Sequence, residues 1–588
     1  MNLENPNSSD VILSGAAFQA ERRISRVLTE SRTMRTRIRR LLLTTTLCVL
    51  VLPSAAQSAS TSQSTESASG YRIAGTVISK TDGHPLLRTR VVLRDVKNPR
   101  NFGTRITSED GKFEFTGIPA GKYSLGGSKK GFITAAYDQH DFYSTAIVTG
   151  AGLDTENLLL KLSPGAAISG KVLDEAGEPV RHAMVTLYYD DHREGVDQIQ
   201  RFRAEQTNDL GIYEMTALMP GTYFVSASAV PWYAMHPNAE PANPGRGTVD
   251  DAATNVDRSL DVAYPTTYYA DAPDPDSATP IPVRGGERLE VDIHLNPVPA
   301  LRLIFRVPGD SKTGYKFPRL EQPAFEDSTF VQTSGGRMIS PGVFEMTGIP
   351  AGHYDIRVQG SGGGSQMNAD LVKDGEEVDV SAAEPLSSVK VSTQVSGETT
   401  LPPQFSVGLR SRGRVIATWK KLDAKGEAEL TEIPAGRYEV VFWGARKPYS
   451  ILHMSAEGAE VAGHTLIVKA GGSPSLTITL TTGSGDIQGT VQRAGKGFAG
   501  AMVVLVPGNP ETNRDLFRRD QSDLDGSFSM RAVVAGSYTI LAIENGWELD
   551  WSQPGVIAVY AKRGRKLEVG SQPGQTLNIA EPIEVQSK

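Results

Sequence analysis

DGKFEFTGIPAGKY, at residues 110–123, is a pattern that this chain repeats four more times with small changes. Each copy has a glycine, a second glycine ten positions later and a tyrosine twelve positions later. The signature residues are Gly111, Gly121 and Tyr123; Gly211, Gly221 and Tyr223; Gly342, Gly352 and Tyr354; Gly426, Gly436 and Tyr438; and Gly526, Gly536 and Tyr538. The copies lie 84 to 131 residues apart while their internal spacing never changes, which indicates tandem domains with one rigid corner each.

The pattern has a physical interpretation at each position. Asp-Gly is a tight-turn dipeptide, because glycine adopts positive φ without strain. Phe113 and Phe115 then alternate as the side chains of a strand do. Pro-Ala-Gly fits a type I turn, and the tyrosine begins the next strand. We expect the tyrosine hydroxyl to bond the backbone across this turn, as in a tyrosine corner, so the signature residues are predicted to be structural.

The rest of each repeat consists of short β-branched runs between turn residues. The first repeat has such runs at residues 73–77 and 91–93, and the fifth has them at 487–491 and 501–505. Closely spaced runs of this kind, bounded by Gly, Pro and Asp, are typical of β-sandwiches. The sequence therefore predicts an all-β protein, a tandem array of about five immunoglobulin-like β-sandwich domains after a signal peptide.

The motifs together resemble those of the carboxypeptidase regulatory-like domain. They are Gly-x-Val, Gly-x-Pro-Val, Ala-x-Val-x-Leu, Asp-Gly-x-Phe-x-Phe and Ile-Pro-Ala-Gly-x-Tyr. The resemblance implies a transthyretin-like sandwich, grouped with carbohydrate-binding-like folds, in a multi-copy exported bacterial protein. Copies one, two and five match well. Copy three lacks the glycine of the opening Gly-x-Val motif, and copy four keeps only the second half of the pattern. The resemblance implies no particular activity, because the module accompanies many kinds of protein.

The predicted domain boundaries follow the repeats. They are a leader with a signal peptide at 1–56 (core 34–56), a Ser/Thr-rich linker at 57–70, and sandwiches at 71–163, 164–298, 299–394, 395–483 and 484–588. The third and fourth sandwiches are divergent, and the second contains a Pro-rich insertion at 231–282. The linkers between sandwiches are short, which predicts an elongated, semi-rigid rod.

Residues 34–56 have the three parts of a secretory signal peptide. Four arginines follow Met34, a 12-residue apolar run covers 41–52, and Ser54-Ala55-Ala56 forms a cleavage box. The run is shorter than the about 20 residues that span a bilayer, so we expect no transmembrane segment after cleavage. The protein is predicted to be exported, whether periplasmic, on the outer surface or secreted. Met1 and Met34 are both candidate translation starts.

Charge and cysteine content exclude some functions. The net charge of the chain is −7, and removal of the leader, which carries +4, leaves −11. Nucleic-acid binding requires a basic stripe, so nucleic acid is not expected as a partner. Cleavage after Ala56 also removes Cys48, the one cysteine, so the mature chain is predicted to lack disulfide and thiol chemistry.

The sequence contains none of the catalytic motifs that we sought. None of its nine histidines begins a His-x-x-Glu zinc motif, and neither a Gly-x-Ser-x-Gly elbow nor a P-loop occurs. We therefore predict no enzyme activity, no catalytic residue, no cofactor and no metal. Oxygen ligands of the kind that Ca²⁺ prefers do occur in two groups, although solvated acidic loops explain them more simply. The groups are Asp271, Asp274 and Asp276, and Asp190, Asp191 and His192.

Two aromatic groups are candidate ligand-binding sites. They are Trp547, Glu548, Asp550 and Trp551 in the fifth repeat, and Trp232, Tyr268 and Tyr269 in the insertion. Aromatic faces beside carboxylates stack sugar rings and accept hydrogen bonds from their hydroxyls. Packing of Trp547 and Trp551 against the sandwich core is the alternative interpretation.

We expect a non-catalytic exported binding or surface-spacer protein whose partner is a polysaccharide or a cell-surface protein. The polysaccharide follows mainly from the fold resemblance. One alternative is an accessory component of an exported enzyme, either carboxypeptidase-like or another hydrolase. Another is a component of an outer-membrane transport system.

Overall fold

The computed structural model describes most of the chain after the linker. The described residues are 70–150, 152–236, 257–308, 315, 317–333, 335–358, 364–397, 400–411, 414–415, 419–444, 449–482, 485–570 and 574–588. The predicted leader, linker residues 57–69 and the middle of the Pro-rich insertion, 237–256, lie outside them. Within these ranges, no helix combines the length and apolar character needed to cross a membrane.

The first two sandwiches contain strands β1 to β19. In the first they are β1 Tyr71–Ser79, β2 Arg90–Asp95, β3 Phe102–Ile106, β4 Lys112–Ile118, β5 Gly121–Ser128, β6 Ala135–Ala136, β7 Ile147–Thr149 and β8 Leu158–Leu162. In the second they are β9 Ala166–Leu173, β10 Met184–Asp191, β11 Gln198–Gln206, β12 Ile212–Leu218, β13 Gly221–Ser228, β14 Val262–Ala263, β15 Thr267–Tyr268, β16 Ile281–Val283, β17 Arg288–Glu290, β18 Ile293–His294 and β19 Val298–Pro299.

The third and fourth sandwiches contain strands β20 to β38. In the third they are β20 Leu301–Arg306, β21 Arg319–Ala324, β22 Asp327–Phe330, β23 Gly335–Ser340, β24 Val343–Ile349, β25 Gly352–Val358, β26 Ser365–Leu371, β27 Glu377–Asp379 and β28 Glu384–Pro385. In the fourth they are β29 Ser387–Val395, β30 Ser406–Ser411, β31 Arg414–Val415, β32 Lys420–Lys421, β33 Glu427–Ile433, β34 Gly436–Trp443, β35 Ser450–Glu457, β36 Glu460–Ala462, β37 Thr465–Val468 and β38 Ser475–Thr481.

The fifth sandwich also contains the α-helix α1, Pro554–Ala561. Its strands are β39 Gly485–Arg493, β40 Lys496–Gly497, β41 Met502–Pro507, β42 Arg518–Gln521, β43 Ser527–Val533, β44 Gly536–Ile543, β45 Arg565–Val569, β46 Gln575–Asn578 and β47 Ile583–Gln586. Short 3₁₀ helices in the described ranges cover Arg258–Leu260, Pro275–Ser277, Val380–Ala382, Arg514–Leu516 and Gly546–Glu548.

All five sandwiches share one strand connectivity. The first strand of each (β1, β9, β20, β29, β39) pairs antiparallel with the strand after the Asp-Gly-type turn and parallel with strands near the end of the domain. In the opposite sheet, the second long strand pairs antiparallel with the strand that begins at the second signature glycine. Apolar side chains from both sheets fill a separate core in each domain. The all-β tandem fold is thus confirmed, and the divergent third and fourth repeats fold in the same way.

The first signature glycine is needed because another strand passes very close to it. In each repeat its φ is between 69° and 83°, and a Cβ built on it would lie 2.1 to 2.8 Å from a carbonyl oxygen of the first strand. The same first strand donates a backbone N–H to the glycine carbonyl, as Val77 does to Gly111 at 2.9 Å. Any side chain here would break this contact between the turn and the first strand.

The signature tyrosine closes its turn through its hydroxyl in all five repeats. The hydroxyl donates to the carbonyl oxygen of the residue four positions earlier. The pairs are Tyr123 to Pro119 at 3.0 Å, Tyr223 to Met219 at 2.9 Å, Tyr438 to Pro434 at 2.8 Å, Tyr538 to Val534 at 3.0 Å, and Tyr354 to Pro350. The rings are buried in the domain cores. These are the bonds that the sequence predicts for a tyrosine corner.

The sandwiches do not form an extended rod. The fifth sandwich contacts the first, where Lys122 Nζ lies 2.6 Å from Asp523. It also contacts the second, where Ser552 Oγ donates to the Gly195 carbonyl at 3.0 Å, and the fourth, where Arg518 donates to Ser450 Oγ at 2.7 Å. The rod predicted from the short linkers is therefore wrong. The chain turns back on itself because the last domain has contact surfaces for three earlier ones.

Replacing Tyr438 by Phe removes one hydroxyl and leaves the buried ring in place. Burial raises the pKa of Tyr438 to about 12, so the hydroxyl keeps its proton and donates at neutral pH. We expect Tyr438→Phe to lower the free energy of unfolding of the fourth sandwich by about 0.5–1.5 kcal/mol, the value of one hydrogen bond. Hydrogen exchange of peptides from β33 and β34 measures this locally. Tyr71→Phe, at a partly exposed ring, is the control, and equal protection in both variants would contradict the prediction.

Candidate functional site

The structure buries the two tryptophans predicted as a sugar platform. Trp547 and Trp551 are 7% and 8% exposed and lie where the fifth sandwich meets the first and second. The imidazole of His140 stacks on Trp547 with ring centroids 5.1 Å apart. Of their predicted partners, Glu548 is exposed and pairs with Lys588, and Asp550 lies beside His192. Neither tryptophan presents a free face, so the stacking role predicted for them is corrected to packing between domains.

Arg519 is the centre of this junction, and its side chain is only 6% exposed. Its guanidinium carbon lies 4.1 Å from the centroid of the Trp551 ring. One nitrogen is 3.2 Å from the Asp141 carboxylate of the first sandwich, and the other donates to the Arg193 carbonyl of the second at 2.8 Å. This role could not be predicted from the sequence, because an arginine in a polar edge strand is ordinarily solvated.

The loop of the first sandwich that faces this junction is held by the same edge strand, β42. Gln521 Nε2 donates to the Asp138 carbonyl at 2.6 Å and to Thr145 Oγ1 at 2.8 Å. The Ala146 amide donates to the Asp523 carboxylate at 3.0 Å. These bonds pair polar groups of the first sandwich with polar groups of the fifth, so the contact leaves them satisfied.

A histidine and two aspartates converge between the second and fifth sandwiches. His192 Nδ1 bonds Asp197 at 2.5 Å and lies 3.6 Å from Asp550, and in the described chain this is the one group of three His, Cys, Asp or Glu ligand atoms within 4.8 Å of one another. Although partial burial lowers the pKa of His192, the Leu549 carbonyl and the two carboxylates raise it above its ordinary value. When Nδ1 carries a proton it donates to Asp197, and the three ligand atoms are of the type that bind zinc. The acidic trio Asp271, Asp274 and Asp276 does not form such a group.

Trp232 lies on an open surface of the second sandwich and is 81% exposed. The ring of Tyr233 packs edge-on against it, with centroids 5.9 Å apart. The hydroxyls of Tyr233 and Tyr264 both donate to the carboxylate of Glu175, which follows β9, the second at 2.9 Å. Although partial burial opposes it, these hydrogen bonds hold the pKa of Glu175 below its usual range. The carboxylate is therefore ionised at neutral pH and holds the hydroxyls of two phenol rings, of which that of Tyr233 packs against the indole.

The other two predicted aromatic residues of the insertion do not join Trp232. Tyr268 is 3% exposed and packs against Tyr188 and Phe325, between the second and third sandwiches. Tyr269 is half-buried against the core of the second sandwich. Their sugar-contact role is therefore corrected to packing. The carboxylate of Glu175 accepts from Tyr233, whose ring packs against Trp232. The sequence analysis did not select Glu175, because turn glutamates carry no distinguishing signal.

Replacing Arg519 by Lys tests the junction. Lysine keeps the charge but lacks the planar group that stacks on Trp551 and reaches two partners at once. We expect the contact of the fifth sandwich with its neighbours to weaken by about 2–4 kcal/mol, somewhat less than loss of a fully buried charge pair. Small-angle scattering should show a larger radius of gyration, with red-shifted tryptophan fluorescence. Arg531→Lys at an exposed position is the control, and an unchanged profile for Arg519→Lys would refute the assignment.

The contact at His192 should depend on pH. Because the folded pKa of His192 is raised, the protonated form is stabilised by folding. That stabilisation is complete below the unfolded value of about 6.5 and is lost as pH rises through the higher folded value. We expect the scattering profile to change with rising pH in the wild type and not in His192→Gln. His353→Gln, which removes a His–Asp pair in the third sandwich, should retain the wild-type transition. A transition that survives in His192→Gln would contradict the prediction.

Comparisons with solved structures find other β-sandwich proteins at low similarity. The Bacillus anthracis TIE protein is 13% identical, with 70% of this chain and 72% of that chain covered and a TM-score of 0.17. A streptococcal ancillary pilin is 13% identical over 53% of this chain and 98% of its own, with a TM-score of 0.18. Two B repeat units of the Staphylococcus aureus collagen binding protein are 11% identical over 70% and 99%, with a TM-score of 0.12. Similarity at this level gives no information on function.

Sequence comparison gives a firmer result for one domain. None of the curated proteins matches the chain. A family model does match residues 72–152, which comprise most of the first sandwich. That family is the carboxypeptidase regulatory-like domain, and the resemblance predicted from the repeated motif is therefore confirmed for the first sandwich.

Proposed function

We propose that this protein is an exported, non-catalytic array of β-sandwiches that binds a polysaccharide through the surface around Trp232. The observation that carries the proposal is the exposure of Trp232, the highest among the large apolar side chains of the described chain. Exposing an indole to water is costly, and a sugar ring is a ligand whose apolar face covers it. The surface is open rather than enclosed, which suits a polymer chain better than a small molecule.

The groups around Trp232 support sugar binding in particular. The ionised carboxylate of Glu175 accepts hydrogen bonds, which is what sugar hydroxyls need, and the hydroxyls of Tyr233 and Tyr264 lie at its two oxygens. These bonds also hold the rings in place before a ligand arrives, so little conformational entropy is lost on binding. Glu175 stays ionised, which does not favour a role as a general acid.

The rest of the chain fits the role of a spacer that presents this surface. The contacts of the fifth sandwich with the first, second and fourth restrict movement of the domains relative to one another. The leader motif supports export. The absence of zinc-peptidase, serine-hydrolase and P-loop motifs from the sequence supports a non-catalytic role.

The test is a binding screen of residues 57–588 against soluble and insoluble polysaccharides, with Trp232→Ala and Trp443→Ala as matched variants. Trp443 is also exposed, at 44%, but lies in the fourth sandwich. We expect one class of polysaccharide to retain the wild type and Trp443→Ala, and Trp232→Ala to lose about tenfold or more in affinity, as removal of a stacking aromatic does at binding hot spots. Equal retention of both variants, or retention by no polysaccharide, would refute the proposal.

A further inference from the structure

One hairpin of the first sandwich has an unusual charge. We call residues 87–106, which contain β2 and β3, the basic hairpin. It carries six basic residues and one acid in a chain whose net charge is −7. The basic residues are Arg88, Arg90, Arg94, Lys97, Arg100 and Arg105, and all six are exposed. The positive charge is thus concentrated on one edge of an otherwise acidic protein.

The same hairpin exposes apolar side chains. Phe102 is 58% exposed and Ile106 is 61% exposed, and Leu87 and Val96 are also exposed. Phe102 and Ile106 stand at the two ends of β3, with Arg94 over the Phe102 ring at 5.5 Å. An exposed cluster of large apolar groups indicates an interaction surface more often than isolated ones do.

The backbone of β3 has an unpaired side. β3 lies at the edge of its sheet and pairs only with β2. Between β3 and the edge strand β4 of the opposite sheet lies a groove of about 260 Å³, lined by Phe102, Arg105, Phe115 and Tyr123 among others. An open edge strand beside a groove of mixed polar and apolar lining is an arrangement to which extended peptides can add as a further strand.

The equivalent hairpins of the other four sandwiches all contact another sandwich of this chain. A carboxylate lies at each contact: one joins the second and third hairpins to each other, and the fourth and fifth hairpins each have another. Glu326 accepts from the Ile199 amide on β11 at 2.8 Å, Glu194 lies 3.5 Å from Arg410 on β30, and Asp141 lies 3.2 Å from Arg519 on β42.

At the contact between the second and third hairpins, Phe325 at the β21–β22 turn also packs on Tyr188 of β10. In the described part of the chain, no ion pair, side-chain hydrogen bond or ring contact joins the basic hairpin to another sandwich. Among the residues that the structure describes, it is the one hairpin of the five without such a neighbour.

We propose that the basic hairpin binds an acidic, extended segment of a partner protein, which adds a strand to the free edge of β3. Carboxylates on alternate positions of that segment pair with the exposed arginines. The apolar side chains between them enter the groove beside Phe102. Main-chain bonds to β3 distinguish a protein strand from a polysaccharide, which has no regular row of amides. This site is separate from the Trp232 surface and does not depend on the function proposed for it.

The experiment measures binding of short capped peptides to residues 57–588. The probes are an alternating Glu/Val peptide, the matching Lys/Val peptide, and the Glu/Val peptide with alternate amides N-methylated. Arg94→Glu with Arg100→Glu is the test variant. Lys420→Glu with Lys421→Glu is the matched control. Both lysines are exposed on β32, which pairs with β30, the strand of the fourth sandwich that is equivalent to β2.

We expect the Glu/Val peptide to bind at least about tenfold more tightly than the Lys/Val peptide. N-methylation and the test variant should each weaken binding by about tenfold, while the control variant changes it by less than about twofold. Melting curves must show that both variants fold. If N-methylation has no effect, or polyglutamate, alginate or anionic vesicles bind equally well, charge alone acts and the proposal fails. It also fails if the control variant loses as much affinity as the test variant.

Discussion

The relative positions of the domains depend on the burial of one charge, the guanidinium of Arg519. A buried cation is costly unless its donors are paired, and the partners of Arg519 come from three sandwiches. Asp141 of the first supplies the countercharge, the Arg193 carbonyl of the second accepts a hydrogen bond, and Trp551 of the fifth provides an aromatic face. None of these partners suffices alone, so the guanidinium is satisfied only when the three domains are assembled. The surrounding contacts, such as Lys122 with Asp523, are more exposed and add less each.

The fold could be predicted from the sequence because its decisive contacts are local or repeated. Each signature tyrosine bonds a carbonyl only four residues away. Each first signature glycine is required because the first strand of the domain passes close to it. Five copies made the pattern visible even where the opening strands diverge. The arrangement of the domains had no such signal. Asp141 and Arg519 are separated by several hundred residues, and neither belongs to a repeat, so short linkers led to the expectation of a rod.

The candidate site shows the same limit. Trp551 and Trp232 both lie in non-repeated segments with other aromatic residues, so sequence alone led to the same interpretation for both. The two tryptophans differ in their neighbours. Trp551 lies against Gly195 of the second sandwich, which has φ of 71°, and a Cβ there would lie 2.4 Å from the Trp551 ring. The absence of that side chain lets the second sandwich cover Trp551, whereas Trp232 remains exposed. A tryptophan can therefore be recognised as a candidate from sequence, but whether its face is free depends on a residue far away in the chain.

The edges of the sandwiches connect these observations. Every edge strand offers unpaired backbone groups and must be covered or made unattractive to other strands. In four sandwiches the hairpin equivalent to the basic hairpin lies against another domain, and the basic hairpin of the first has charge instead. Positive charge by itself would be enough to prevent uncontrolled pairing, and exposed Phe102 and Ile106 would then be a disadvantage, because they favour association. Charge combined with exposed apolar side chains selects among partners: it repels basic strands and attracts acidic ones, while neutral strands gain no electrostatic attraction. The composition of this edge is therefore better explained by selective binding than by protection alone.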